Sequence, residues 1–250
     1  MVPFYTYERD KMTQKITFIA KDKYTYDLCD RPFPASQALP KWHKEMTPYQ
    51  ISPDNPDGKK FILEDRISNA TFKKCVPMLD MLTSGYIISL WSDVQVKQTL
   101  TGPRVTWRSS LEVFEQHGEN SQHIENPLGY TNSVFKFMNK WIPNTPKGYS
   151  VLALPPVGHK NLPFKAIEAV LDSDKASLEP LFPMWLKEGF EGVVEKGTPL
   201  VQLIPFKRTD WKADFDYYAE GEHKLLEDKT FNTTLVNHYI KNFWSKKSYK

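Results

Sequence analysis

A chain of 250 residues with 33 basic and 30 acidic side chains and a formal net charge of +3 carries no general electrostatic footprint for nucleic acid or for a membrane surface. Its 40% hydrophobic and 14% aromatic content supplies a core, which sets it apart from disordered or low-complexity chains. No run approaches the ~20 apolar residues of a spanning helix, and Met1 to Asp10 is charged and aromatic, so neither a membrane span nor a signal peptide is expected and the expected setting is cytoplasmic.

Taken in order, Lys15 to Ala20 reads as a first strand. Asp30 to Pro40 is punctuated by proline and starts a short helix near Ser36 or Pro40, with Trp42, His43 and Lys44 in or beside it. Gln50 to Lys60 is a polar, turn-rich loop, the clearest surface excursion. Lys73 to Thr83 is helix-like, with Pro77 tolerable only in its first turn and Ser84-Gly85 as its stop. Tyr86 to Leu90 is a strong strand. Val94 to Val96, Arg104 to Trp107 and Ser133 to Ile142 are further strand candidates, and a second polar loop spans Gly118 to Gly129.

The stretch from Lys147 to Arg208 organises the rest. Tyr149 to Leu154 is apolar and β-prone and stops at Pro155-Pro156, because proline has no N–H for a ladder. Ala166 to Leu171 is a second run, closed by Asp172-Ser173-Asp174, whose side chains favour a turn. Phe190, Val193 and Val194 lead into Lys196-Gly197, and Leu200 to Phe206 is a final strand, with Leu200 to Ile204 buried at its centre. Gly148 and Gly197 are expected in tight turns that open strands. Gln202 sits inside an apolar run and must find partners if buried. Beyond Arg208 the chain is first aromatic and acidic, from Asp210 to Tyr218. Apolar residues then recur at helical spacing between Tyr217 and Trp244, through Leu225, Leu226, Leu235, Tyr239 and Phe243, with a break over Thr230 to Thr234. The basic end, Lys241 to Lys250, reads as a solvated helix terminus.

The pieces Pro146-Lys147-Gly148-Tyr149, Ala169 to Asp174, and Lys196-Gly197-Thr198-Pro199-Leu200-Val201-Gln202-Leu203 resemble, in order and spacing, the dUTPase and dCTP-deaminase group of β-clip proteins. The resemblance implies a nucleotide hydrolase or deaminase in which Asp172 activates the attacking water, Asp174 stands beside it and magnesium lies on the phosphates. Three features depart from that group: Pro155-Pro156 replaces its phosphate-holding Arg-Ser, Lys175-Ala176-Ser177 replaces its Tyr-x-Gly, and a glycine-rich phosphate-covering arm is lacking. The elements Thr145 to Ser150 and Gly197 to Arg208 are also similar to a family of uncharacterised bacterial and marine-phage proteins of the T4-like cyanophage type, and this is the closer resemblance. It implies a protein of the host cytoplasm or virion and brings no known activity.

Other chemistry has less support. His43, His117, His123, His159, His223 and His238 form no His-x-Asp or His-x-x-x-His pair, and His117 and His123 with Glu119 or Glu125 read as an ordinary loop cluster. Cys29 and Cys75 have no metal or redox spacing and are expected as buried free thiols. Trp141, Trp185 and Trp211 read as aromatic core. No metal or cofactor is expected unless the hydrolase reading holds.

The expected fold is mainly β: a β-clip or jelly-roll-like barrel with short helices over residues 1–209, and a helical C-terminal tail over 210–250. A sub-boundary near Gly129 would leave 130–209 as the β-clip-like part. The expected function is a phage-type β-barrel protein with a non-enzymatic structural, assembly or interaction role, its partners being itself or other particle proteins. The alternatives are the dUTPase-like hydrolase or deaminase, and more weakly a small-ligand-binding barrel.

Overall fold

The computed structural model describes residues 14–63, 66–67, 69–116, 124–175, 178–224, 240 and 243–250. In chain order these form β1 (Thr17–Ile19), α1 (Lys23–Leu28), β2 (Phe33–Pro34), a 3-10 turn (Ala35–Ala38), α2 (Lys41–Glu45), β3 (Ile62–Leu63), β4 (Arg66–Ile67), a second 3-10 turn (Phe72–Lys74) and α3 (Val76–Thr83). Then come β5 (Tyr86–Ser89), β6 (Val94–Thr99), β7 (Gly102–Trp107), β8 (Phe114–Gln116), β9 (Tyr130–Met138), β10 (Ile142–Asn144), β11 (Tyr149–Leu154) and β12 (Phe164–Ala166). The series ends with β13 (Ala169–Leu171), β14 (Leu181–Lys187), β15 (Gly192–Val194) and β16 (Pro199–Lys207).

The fold is mainly β, as the short runs between turn formers predict, and the paired strands are antiparallel. A five-stranded sheet runs β13-β11-β16-β5-β2, a four-stranded sheet β12-β14-β9-β8 and a three-stranded sheet β15-β6-β7, with the small pairs β1-β10 and β3-β4 beside them. Strands from both sides of Gly129 share all three larger sheets. Each sheet keeps two edge strands among the described residues, and those of the largest, β13 and β2, are only three and two residues long. Edges this short offer little for unwanted pairing.

One core lies between these sheets. Val151 and Leu203 from the five-stranded sheet, Phe135, Phe137 and Met184 from the four-stranded sheet, and Val96 from the three-stranded sheet are each fully buried. Phe114 stacks on Phe164 at 4.6 Å between ring centres, and Phe135 meets Phe164 edge-on at 6.0 Å, the arrangement that ring quadrupoles favour. β16 lies at the centre of its sheet, with β11 on one side and β5 on the other. Leu200, Val201 and Leu203 are buried there, and so is Gln202. The Gln202 amide reaches the end of α3, where Nε2 donates to the Met81 and Ser84 carbonyls at 3.1 and 2.7 Å, while Oε1 accepts the Val157 N–H at 2.9 Å. A buried glutamine with its donors and acceptor occupied is stable in an apolar strand. Gly85 has φ +73°, and a Cβ there would lie 2.0 Å from the Leu203 carbonyl oxygen, so the α3–β5 turn admits no side chain.

The structure corrects several expectations. α1 is an element the sequence reading does not name, and its start is fixed by Asp22, whose carboxylate accepts the Thr25 N–H at 2.7 Å. The run from Ala166 to Leu171 is two strands. The Ile167 N–H bonds the Pro183 carbonyl at 2.8 Å, after which the chain crosses from the four-stranded to the five-stranded sheet. β14 holds Pro183 opposite Lys136 of β9, and a proline inside a paired strand argues against reading it as one from sequence.

The tail also differs. Residues 208–219 have no regular structure, helical residues begin at Glu222, and 243–250 are irregular rather than a helix end. That last segment lies on the body: the Trp244 indole N–H and the Lys247 ammonium both bond the Asp80 carboxylate, and Tyr249 meets Tyr86 edge-on at 5.9 Å. The predicted helix positions Leu225, Leu226, Leu235 and Tyr239, the break over Thr230 to Thr234, and the loop residues His117, Glu119 and His123 lie outside the described residues. Among the described residues no helix is long and apolar enough to cross a membrane.

Candidate functional site

The acidic turn after β13 and the chain just beyond β16 meet at the head of β11. Antiparallel register sets Tyr149 of β11 opposite Lys207 of β16, and Val151 opposite Leu171 of β13. Asp172, Asp174, Ser150 and Arg208 are thereby gathered in one place. Gly148 opens β11 at φ +86°, a left-handed position that suits glycine. Its N–H donates to Asp174 Oδ2 at 2.8 Å, and its carbonyl accepts the Arg208 N–H at 2.8 Å. Below the turn, the Ser173 and Thr145 hydroxyls share a buried hydrogen bond of 2.7 Å.

Arg208 is the hub. Nη1 donates to Asp174 Oδ1 at 2.9 Å, to the Ser150 hydroxyl at 2.8 Å, to the Tyr149 carbonyl at 2.9 Å and to Asp172 Oδ1 at 3.1 Å, while Nη2 donates to Asp174 Oδ2. The Asp174 pair is bidentate, the strong form of guanidinium–carboxylate contact. The Asp174 side chain is only 3% exposed, whereas that of Asp172 is 55% exposed. The Arg208 hydrogen bond and the Gly148 N–H hold Asp174 down to a pKa of about 2. Asp172 is lowered as well, first by the Ser150 hydroxyl, which donates to Oδ1 at 2.7 Å, and then by Arg208. Arg208 is raised in turn, chiefly by its bond to Asp174.

This chemistry is that of a clamp. A general base works best with a pKa near the operating pH and a lone pair aimed at the proton it removes. Both aspartates are shifted the other way, and the guanidinium that could have met a phosphate is engaged by them. Among the described residues no group of three or more His, Cys, Asp or Glu side chains could hold a metal ion. The clamp fastens the end of β16 to the head of β11 and the end of β13, and so fixes the point at which the chain leaves the body.

Beyond Arg208 the chain is exposed throughout, from residue 209 to 224. Trp211, Phe215 and Tyr217 are 92%, 92% and 90% exposed, so Trp211 is no part of the aromatic core, unlike the buried Trp141 and Trp185. Carboxylates alternate with these rings at Asp210, Asp214 and Asp216. Arg208 fastens the start of this segment to the body.

The remaining candidates take structural places. Gly197 lies in the turn before β16 at φ +86°. Cys29 and Cys75 are unpaired, but only Cys29 is buried and Cys75 is half-buried; burial pushes the Cys29 thiol up to about 11, which keeps it protonated and unreactive. Sequence reasoning finds Asp172 and Asp174 but not Arg208, because the partner lies 34 positions away from Asp174. The available signal is register: a cation placed just past the last strand faces the turn that opens its neighbour. No family model matches the chain, and neither a curated protein nor a solved structure matches it.

Proposed function

We propose that this protein has a non-enzymatic assembly or interaction role, of the phage-type structural kind its sequence resembles, and that the 209–224 arm is its contact element. The observation that carries this reading is the arm itself: three large aromatic side chains about nine-tenths exposed, on a segment clamped to the body at Arg208. Large exposed aromatic side chains grouped on one short segment are a feature of association sites. Aromatic rings supply most of the binding energy of interfaces at low entropic cost. The alternating carboxylates favour a partner surface with cations around apolar pockets. The partner is a second copy of this chain or another component of a particle. The Asp172–Asp174–Arg208 cluster serves the same role by setting the root and direction of the arm.

The test compares the purified protein with a Trp211→Ala/Phe215→Ala/Tyr217→Ala variant by sedimentation velocity over a range of concentrations. The wild type is expected to self-associate and the variant to stay monomeric with an unchanged melting temperature. Equal behaviour of the two proteins would remove the arm from self-assembly. Magnesium-dependent release of pyrophosphate from dUTP or dCTP would overturn the non-enzymatic reading.

A further inference from the structure

Away from the clamp, a surface cleft of about 330 Å³ opens between α1 and the loop after β7. Its volume falls at the small end of ligand sites, which run from roughly 300 Å³ upward. Arg108, Ser109 and Ser110 come from the β7 loop, Tyr24 from α1, Lys196 from the turn before β16, and Trp91 from the end of β5. These positions are set by backbone. The Lys196 N–H is held by Asp93 Oδ1 at 2.6 Å, and the Gly197 N–H by the Leu90 carbonyl at 2.7 Å. Ser109 Oγ accepts the Leu111 N–H at 3.1 Å, so its own proton stays available to donate.

The lining holds several donors and no acid. Arg108 is exposed and has no ion pair among the described residues, in contrast to Arg208. Lys196 is paired with Asp30 at 3.1 Å, which lies outside the lining and steadies the ammonium. The Tyr24 and Ser110 hydroxyls bond each other at 2.9 Å, an exchange that uses one proton and leaves the second to donate. Trp91, 5% exposed, closes the floor. A guanidinium, an ammonium and several hydroxyl donors around one small hollow match a tetrahedral oxyanion, whose three or more oxygens accept more bonds than a carboxylate's two.

We propose that this cleft binds a phosphate group, as inorganic phosphate or as a small phosphomonoester. Isothermal titration calorimetry at low ionic strength with inorganic phosphate, glucose 6-phosphate and AMP tests this, using the full chain, Arg108→Gln and Lys196→Gln. Saturable one-to-one binding is expected, weakened about tenfold or more in each variant, since each removes a charged donor. Equal affinity for the three probes identifies phosphate alone as the ligand. Tighter binding of either ester shows that the remainder of the ligand lies in the cleft. Both side chains are exposed, and a matched melting temperature separates lost binding from lost fold. Absence of saturable binding to all three probes, or binding unchanged in both variants, would overturn the proposal.

Discussion

Asp174 and His43 are both ionisable side chains withdrawn from water, and the protein treats them in opposite ways. Asp174 is charged, and its two oxygens are met by Arg208 and the Gly148 N–H. His43 on α2 is 2% exposed, and neither ring nitrogen has a partner among the described residues. Its backbone carbonyl accepts the Lys73 ammonium at 2.6 Å, so the nearest cation further opposes a second charge. Burial first, and Lys73 second, lower the His43 pKa. A buried charge is stable where donors surround it; a buried imidazole without partners is stable only while neutral. The two sites therefore make different demands as pH falls.

The largest expected effect on stability lies in the apolar core between the sheets. Leu203 is fully buried on the central strand. Leu203→Ala is expected to cost about 2–5 kcal/mol in denaturant unfolding, through lost transfer energy and the cavity left behind. A loss below about 0.5 kcal/mol, the range of surface changes, would place β16 at the periphery and leave polar contacts to carry the fold.

The satisfied site comes next. Arg208→Met removes the guanidinium and leaves the Asp174 carboxylate among groups that cannot replace it. At pH 7 this variant is expected to melt lower than His43→Leu or Asp172→Asn. The Arg208→Met/Asp174→Asn double variant should recover part of the loss, because a neutral amide in that place no longer needs a counter-charge. Since the folded pKa of Asp174 is depressed from 3.8 to about 2, its contribution is present above pH 4 or so and fades as pH falls toward 2. Arg208→Met should shrink or reverse that acid loss, because without the guanidinium the folded pKa of Asp174 rises toward its unfolded value and protonation relieves the unpaired carboxylate. A melting curve of Arg208→Met that superimposes on the wild type across this range would show that the clamp holds nothing.

The orphan site titrates elsewhere. With its folded pKa below the ordinary 6.5, His43 binds fewer protons folded than unfolded. Its contribution is thus whole above pH 6.5 and is lost as pH falls below it. The urea midpoint of the wild type should decline between pH 7.5 and 5.5, and His43→Leu should flatten that decline. Parallel pH profiles for the two would show that His43 is solvated.

The range of each interaction decides how far the sequence discloses it. The strands at 149–154 and 199–207 are legible because turn formers and apolar runs are local signals, and Gln202 announces its need for partners by standing among apolar neighbours. β14 is hidden by Pro183, and α1 rests on a single capping aspartate. The aspartates are visible as a motif, but their meaning depends on Arg208, which only strand register brings to them. His43 gives no sign at all, since a lone histidine beside a tryptophan reads the same whether its ring nitrogens are bonded or not.

The smallest effect on stability is expected at Asp172, and it is also where the clamp and a catalytic reading part. Its side chain is 55% exposed, so its Arg208 contact at 3.1 Å is screened by water and salt. In Asp172→Asn the amide oxygen can still accept the Ser150 hydroxyl, and Arg208 keeps its two bonds to Asp174. The melting temperature should therefore move less than in Arg208→Met or Leu203→Ala. If Asp172 instead activated water on a nucleotide, this change would abolish turnover while leaving the fold intact. The sequence argues against that: where the resemblance calls for a phosphate-holding Arg-Ser, Pro155 and Pro156 offer neither an N–H nor a guanidinium. Arg208 is taken by both aspartates, and loss of even one oxyanion donor costs about 10²–10³ in rate. With magnesium and the four deoxynucleotides plus dUTP, followed by chromatography, neither protein is expected to release pyrophosphate or a deaminated base. Turnover in the wild type that vanishes in Asp172→Asn would mean that the clamp opens to admit a substrate, with Arg208 exchanging a carboxylate for a phosphate.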